Sequence, residues 1–225
     1  MGRINIDPGH SETAQGASGP YANEVYLTHL YANTIAYFLQ KKGATDYVVL
    51  NDGKTSSEDR AIPIAQANAS GSDSIFLSVH VNSFTLDQAT GSEAWVCTGY
   101  NTGRTGEFAA AIYGAYRSVA EKYGLKDRGI KENTFEVLRR TVMPAVLIEL
   151  AFLSTKSDAE LLLNDTFRNE ACEAIAEELM RQAGQPVIQI QDSNPEALQP
   201  TTGNPEGTLS AEEVEKARRI LTYFA

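Results

Sequence analysis

Two near-continuous apolar runs, each broken by a single ionisable residue, constrain this chain more than any other feature. In SIFLSVHV (74–81) the interruption is His80, and in PAVLIEL (144–150) it is Glu149. Runs of this kind read as strands buried on both faces, which points to a largely parallel sheet between helices. An imidazole or a carboxylate in such surroundings is costly to bury unless it is paired or bound to a metal. Both interruptions fall towards the C-terminal ends of their runs, where open α/β sheets assemble their sites. Near the N-terminus, the alternating strand INID runs into a Pro-Gly turn and delivers His10 just past its end.

The rest of the chain agrees with that class. Strands are expected at 3–7, 46–50, 74–81, 92–98, 134–139 and 144–150. Between them, residues 23–42 form an amphipathic helix with Leu27, Leu30, Tyr31, Ile35 and Phe38 inward, Asn23 capping it and Gly43 ending it. Residues 56–68 are helical in tendency, with Pro63 either kinking the helix or marking a late start. Long helices follow at 105–123 and 165–183, the latter with Phe167, Ala171, Ile175 and Leu179 inward, and Ser157 with Glu160 reads as a capping box opening a short one. The expected fold is one three-layer α/β domain over 1–184, with a twisted, mixed but mostly parallel sheet of about six strands and helices on both faces. Residues 185–208, rich in Pro, Gly, Asn, Gln and Thr, read as a linker. Residues 209–225 read as an amphipathic helix with Val214, Ala217, Leu221 and Phe224 on one stripe. So short a helix is marginal alone, and it must dock on its own domain, a second copy or a protein partner.

The formal net charge of −10 argues against nucleic acid or an anionic membrane as partner. No apolar run reaches the ~20 residues that span a bilayer. No basic-then-apolar leader precedes the first strand, as expected of a mature exported protein or of one released without a leader. Cys97 and Cys172 lack CxxC partners, so they are expected as small buried thiols with no thiolate metal site and no disulfide.

Glu24, in the first turn of the helix after the His10 loop, can reach the same rim as His10, His80 and Glu149. Two imidazoles and one carboxylate are the ligand set of a catalytic zinc site with a fourth position for water. A further carboxylate nearby, the part Glu149 fits, can take the water's proton and return it to a leaving amine. Each residue alone also has a plainer reading: a structural strand-end histidine, a carboxylate favoured at a helix N-terminus, or a partner for a buried arginine. His29 is expected at the solvent face or the core edge, and Arg60 in a structural role.

Four segments in order resemble one family. IDPGH, ANEVYLTHLYANTIAYFL, RAIPIAQANASGSDSIFLSVHVNSF and DRGIKENTFEVLRRTVMPAVLIELAFLST lie in that order within a likeness that covers residues 3–181. They resemble the zinc-dependent N-acetylmuramoyl-L-alanine amidases of amidase type 3. The resemblance implies that His10, Glu24 and His80 bind one Zn2+ and that Glu149 is the catalytic carboxylate. It makes Asn82 and Arg128 candidates for substrate contact, with a salt bridge the alternative for Arg128. It further implies hydrolysis of the amide between N-acetylmuramic acid and L-alanine of peptidoglycan, at the cell wall, in the periplasm or outside the cell. The loop after His10 lacks the Gly-Gly common in the family, and AFLST stands where GFLSN is usual. Only strands and one helix occupy 81–148, so the cleft is expected open, without the inserted plug helix of some members. A zinc carboxypeptidase and a non-catalytic wall-binding module on the same fold remain as alternatives.

Overall fold

The computed structural model describes residues 1–11, 13–50, 55, 58–84 and 89–188. The expected linker from 189 onward and the expected helix 209–225 lie outside the described residues. The elements are β1 (Ile4–Pro8), α1 (Glu24–Lys41), β2 (Tyr47–Val49), α2 (Glu58–Ala69), β3 (Ile75–Asn82), β4 (Ser92–Cys97) and α3 (Gly103–Ala120). A turn of 3-10 helix at Glu121–Tyr123 leads to β5 (Asp127–Asn133), α4 (Glu136–Arg139), β6 (Ala145–Phe152), α5 (Lys156–Leu163) and α6 (Asp165–Gln182). They form one six-stranded sheet in the order β2-β1-β3-β6-β4-β5. Every neighbouring pair is parallel except β4 with β6.

Chain order explains where the site forms. From β1 the chain crosses through α1 to β2 on one side, and α2 then carries it back past β1 to β3 on the other. Right-handed crossovers in opposite directions put α1 and α2 on opposite faces and open a crevice at the carboxyl ends of β1 and β3. His10 follows the first of these strands and His80 lies near the end of the second.

The two faces are unequally covered. The larger core sets α1, α3 and α6 against the sheet, with Leu27, Tyr31, Ile112, Tyr116, Phe167, Ile175 and Leu179 buried on Ile6, Leu77 and Ile148. Its two deepest tyrosines keep their hydroxyls satisfied, Tyr31 donating to the Leu162 carbonyl and Tyr116 to that of Leu150. On the other face a smaller cluster joins Ile64 and Ala67 of α2 and Val137 and Leu138 of α4 to Phe76 and Leu147. Further along that same face, towards the carboxyl ends of β3 and β6, stand His80 and Glu149, with Glu93 at the start of the antiparallel β4 in the same register row.

Several expectations change in detail. The fifth strand is DRGIKEN at 127–133, and the stretch expected as a strand at 134–139 holds the single helical turn α4. As the outer strand of the sheet, β5 pairs only with β4 and needs no continuous apolar run, whereas Val137 and Leu138 are buried by a turn that folds them under the sheet. α2 runs unbroken through Pro63, so the helix does not start late. Thr155, not Ser157, is the N-cap of α5, and its hydroxyl donates to the Ala89 carbonyl instead of capping the helix. Asn23 does cap α1, accepting from the Tyr26 amide at 3.0 Å, and Gly43 takes the left-handed conformation that ends it. Both cysteines are free; Cys172 is buried as expected and Cys97 only half-buried. Hydrogen bonding to the domain continues to residue 188. Buried Gln185 donates to the Gly2 and Asp46 carbonyls, and the Ile188 amide donates to the Lys42 carbonyl.

Candidate active site

The chain leaves β1 through Pro8 and Gly9 and places His10 in the left-handed region, at φ 70°. A non-glycine residue held there costs roughly 1–3 kcal/mol, so the surroundings must enforce it. Two consecutive residues of α1 do so. The buried Thr28 hydroxyl donates to the Gly9 carbonyl at 2.6 Å, and His29 Nε2 donates to the His10 carbonyl at 3.2 Å. His29 is thus at the core edge, as expected, with a task that periodicity does not reveal.

The same helix begins with Glu24, whose side chain is 7% exposed. Its Oε2 lies 3.2 Å from His10 Nε2 and accepts from the Ala17 amide at 2.8 Å. Its Oε1 lies 3.0 Å from His80 Nδ1 and accepts from the Val81 amide at 3.2 Å. Among the described residues, His10, Glu24 and His80 offer three ligand atoms that all lie within 4.8 Å of one another. Burial alone would raise the Glu24 carboxyl, but hydrogen bonds with His10 and His80 outweigh it and hold the group well below the usual carboxylate range. Burial alone would lower His80; its bond to Glu24, with Glu149 close by, instead lifts it to about 9.

Glycines let these groups meet. A Cβ on Gly9 would sit 2.4 Å from the His80 ring, and one on Gly16 would sit 2.5 Å from Glu24 Oε2 and 2.6 Å from the His10 ring. His10 remains 29% exposed and His80 18%, so solvent reaches the cluster from the His10 side.

Whether the donor set suits a cation follows from His10. Its Nδ1 lies 3.0 Å from the Ala14 carbonyl, which can only accept, so Nδ1 carries the hydrogen. In the neutral ring, Nε2 then presents a lone pair to a carboxylate oxygen 3.2 Å away, and two such acceptors hold together only with a proton or a cation between them. The two N···O separations, 3.2 and 3.0 Å, are close to the roughly 3.4 Å between ligands of a tetrahedral ion with bonds near 2.1 Å. The residues fit a small divalent cation.

Glu149 stands in direct register between His80 on β3 and Glu93 on β4. Its Oε2 is enclosed and has no hydrogen-bond partner among the described residues. Desolvation raises its carboxyl to about 7, with Glu24 and Glu93 adding to the rise and His80 opposing it. A carboxyl near neutrality beside a candidate cation site is poised to accept and return a proton.

Asn82 and Arg128 meet at Glu93. Asn82 Nδ2 donates to Glu93 Oε1 at 3.0 Å, and Arg128 Nε donates to Glu93 Oε2 at 2.7 Å. Lys131 donates to that same oxygen. Burial would raise Glu93, but Arg128 and Lys131 outweigh it and hold the carboxyl below its ordinary value. Arg60 pairs with Glu136 at 2.8 Å, between α2 and α4, in the structural role expected. Glu93 and Lys131 were not singled out in the sequence. Glu93 gives the signal that identified His80 and Glu149, an ionisable residue inside an otherwise apolar strand, in SEAWVC.

The N-acetylmuramoyl-L-alanine amidase family model matches residues 4–181. The chain is 32% identical over 173 residues to N-acetylmuramoyl-L-alanine amidase LytC of Bacillus subtilis (strain 168), covering 76% of this chain and 34% of LytC. It is 32% identical over 174 residues to the endolysin of Bacillus phage SPP1, covering 76% of this chain and 62% of the endolysin. This chain thus spans about a third of the one and under two thirds of the other. The crystal structure of an N-acetylmuramoyl-L-alanine amidase from Clostridium difficile 630 superposes with a TM-score of 0.69 at 31% identity, covering 80% of this chain and 95% of that one. With a match that runs from β1 into the last turn of α6 and takes in every residue of the His-Glu-His cluster, the chain belongs to the N-acetylmuramoyl-L-alanine amidase family, amidase type 3.

Proposed function

We propose that the chain is a peptidoglycan hydrolase that cuts the amide between the lactyl group of N-acetylmuramic acid and L-alanine of the stem peptide, using one Zn2+ held by His10, Glu24 and His80. The observation that carries this reading is the enclosed Glu149 Oε2, unpartnered among the described residues and in register with His80 at the edge of a three-ligand cluster. Bound there, the ion supplies Lewis acidity, making a water more acidic and the amide carbonyl more electrophilic. Glu149 accepts the proton of the attacking water and delivers it to the departing L-alanine amine. Burial above all, with Glu24 and Glu93 adding to it, keeps the Glu149 carboxyl high enough to do both near neutral pH. The backbone clamp from Thr28 and His29 keeps His10 aimed at Glu24 while the substrate enters from the exposed side of the His10 ring. The names of the relatives, a cell-wall amidase and a phage endolysin, support action at the cell wall. No described helix is long and apolar enough to cross a membrane.

Purified sacculi, digested and resolved by mass spectrometry, test the reading. Wild-type protein should release stem peptides with free L-alanine amines, and a chelator followed by Zn2+ should stop and restore release. Glu149→Gln should retain one Zn2+ and the wild-type fold while losing release by about 100-fold or more. Loss of terminal D-amino acids with the lactyl amide intact would instead identify a carboxypeptidase.

A further inference from the structure

Beside the proposed catalytic carboxylate stands a cationic pair that the hydrolysis step leaves unused. Glu93, 3% exposed, is shared by Arg128 and Lys131, so the trio carries one positive charge in excess. That excess is unusual on a chain whose net charge is −10. Both cations are supported from below by aromatic rings, Arg128 with its guanidinium 4.8 Å from the Phe152 centroid and Lys131 with Nζ 5.2 Å from that of Trp95. Their side chains are 30% and 34% exposed. Arg128 spends Nε on Glu93, and its Nη1 makes only a 3.5 Å approach to the Thr90 carbonyl, which leaves donor capacity on a side chain that is partly exposed. Asn82 holds the other Glu93 oxygen from β3, so Glu93 is braced on both sides. A buried carboxylate braced by two half-exposed cations orients them and leaves donor capacity for a second anion.

We infer that Arg128 and Lys131, positioned by Glu93 and Asn82, bind a free carboxylate of the stem peptide on the amine side of the cleaved bond. The inference rests on the amidase reading above. Glu93 pairs in register with Glu149 one strand spacing of about 4.8 Å away, and Arg128 Nε lies a further 2.7 Å from Glu93 Oε2. The second stem residue, a D-glutamate linked onward through its γ-carboxyl, carries its α-carboxylate about 7 Å from the scissile carbonyl along an extended chain. One strand spacing and that hydrogen bond together come to about 7–8 Å, the same span. The pair is therefore a specificity device that separates stem peptides with a free α-carboxylate at the second residue from those with the amide. Glu93 is a positioning residue, since its own oxygens are occupied by the groups it holds.

Two synthetic muramyl peptides that differ only in that group, acid or carboxamide, test the inference in the zinc-loaded full chain. Wild type should favour the acid about tenfold in kcat/KM, and Lys131→Gln or Arg128→Gln should bring the ratio towards one. Calorimetry with the uncleavable L-alanyl-D-isoglutamyl and L-alanyl-D-isoglutaminyl peptides should show the same preference in binding, free of any chemical step. Equal kcat/KM and equal affinity for acid and amide in wild type would overturn the clamp. A binding preference without lactyl-amide cleavage would uphold the clamp and sink the amidase reading. If the preference appeared only for a C-terminal carboxylate, the pair would be serving a carboxypeptidase and the inference would fall.

Discussion

Thr28→Val is the perturbation that tests how the fold aims the candidate ligands. The substitution keeps a β-branched side chain of similar volume at a fully buried helical position and removes only the hydroxyl. The Gly9 carbonyl then loses its 2.6 Å donor, at a cost of about 1–3 kcal/mol for a buried acceptor. Gly9 lies so close under the His80 ring that a Cβ there would come within 2.4 Å of it, and it directly precedes His10. A shift of this peptide therefore disturbs both imidazoles at once. In a domain of this size the penalty should lower the Tm of the metal-free protein by about 2–12 °C. If the same bond also aims His10 and His80, Zn2+ affinity should fall by about 10–100-fold, the range for an outer partner of a metal ligand. Differential scanning calorimetry measures the first effect and competition against a zinc-chelating dye measures the second. A lowered Tm with Zn2+ affinity within twofold of wild type would refute the positioning role and leave Thr28 as a core residue only.

Two further outcomes follow from the geometry. Gly9→Ala should keep the circular dichroism of the wild type but bind Zn2+ more than about tenfold more weakly, because its methyl group and the His80 ring cannot share the space. Lys42, at the end of α1, donates to Glu173 and Glu177 of α6 at 2.7 Å each, and its effect on stability should depend on pH. Hydrogen bonding to Lys42 lowers the Glu177 carboxyl, so this stabilisation is present above the ordinary carboxylate value and is lost as pH falls through the folded one. Burial would lower Lys42, but bonds to Glu173 and Glu177 outweigh it and raise it, so its share is complete below the ordinary lysine value and fades above it. Lys42→Met should therefore lower Tm most between about pH 5 and pH 10 and by less at pH 3.5. With Glu173 half-exposed, the deficit should stay near 1 kcal/mol or below, and a deficit independent of pH would contradict the assignment.

Short-range pattern was enough for most of the architecture. Leu27, Tyr31 and Ile35 repeat at helical spacing and are buried, as are Phe167, Ala171, Ile175 and Leu179, because a helix has to turn one stripe towards the core. The runs around His80 and Glu149 were legible as central strands because apolar residues on both faces have no other stable place. The edge strand 127–133 was not legible, since a strand paired on one side tolerates polar residues such as Arg128, Lys131 and Glu132 and loses the apolar signature. Val137 and Leu138, apolar but in a single helical turn, look like part of a strand in the sequence because four residues show no period.

Residue types and chain order make His10, Glu24, His80 and Glu149 candidates with plainer readings beside them, and the family resemblance supplies their expected roles. Only the tertiary structure decided that the first three meet within 4.8 Å, because their meeting depends on the crossovers that bring the ends of β1 and β3 under the start of α1. It also decided that Thr28 and His29 hold the left-handed turn at His10 and that Arg128 and Lys131 gather on Glu93. Such pairings join strands and helices far apart in the chain, and no local period records which polar side chain will face which.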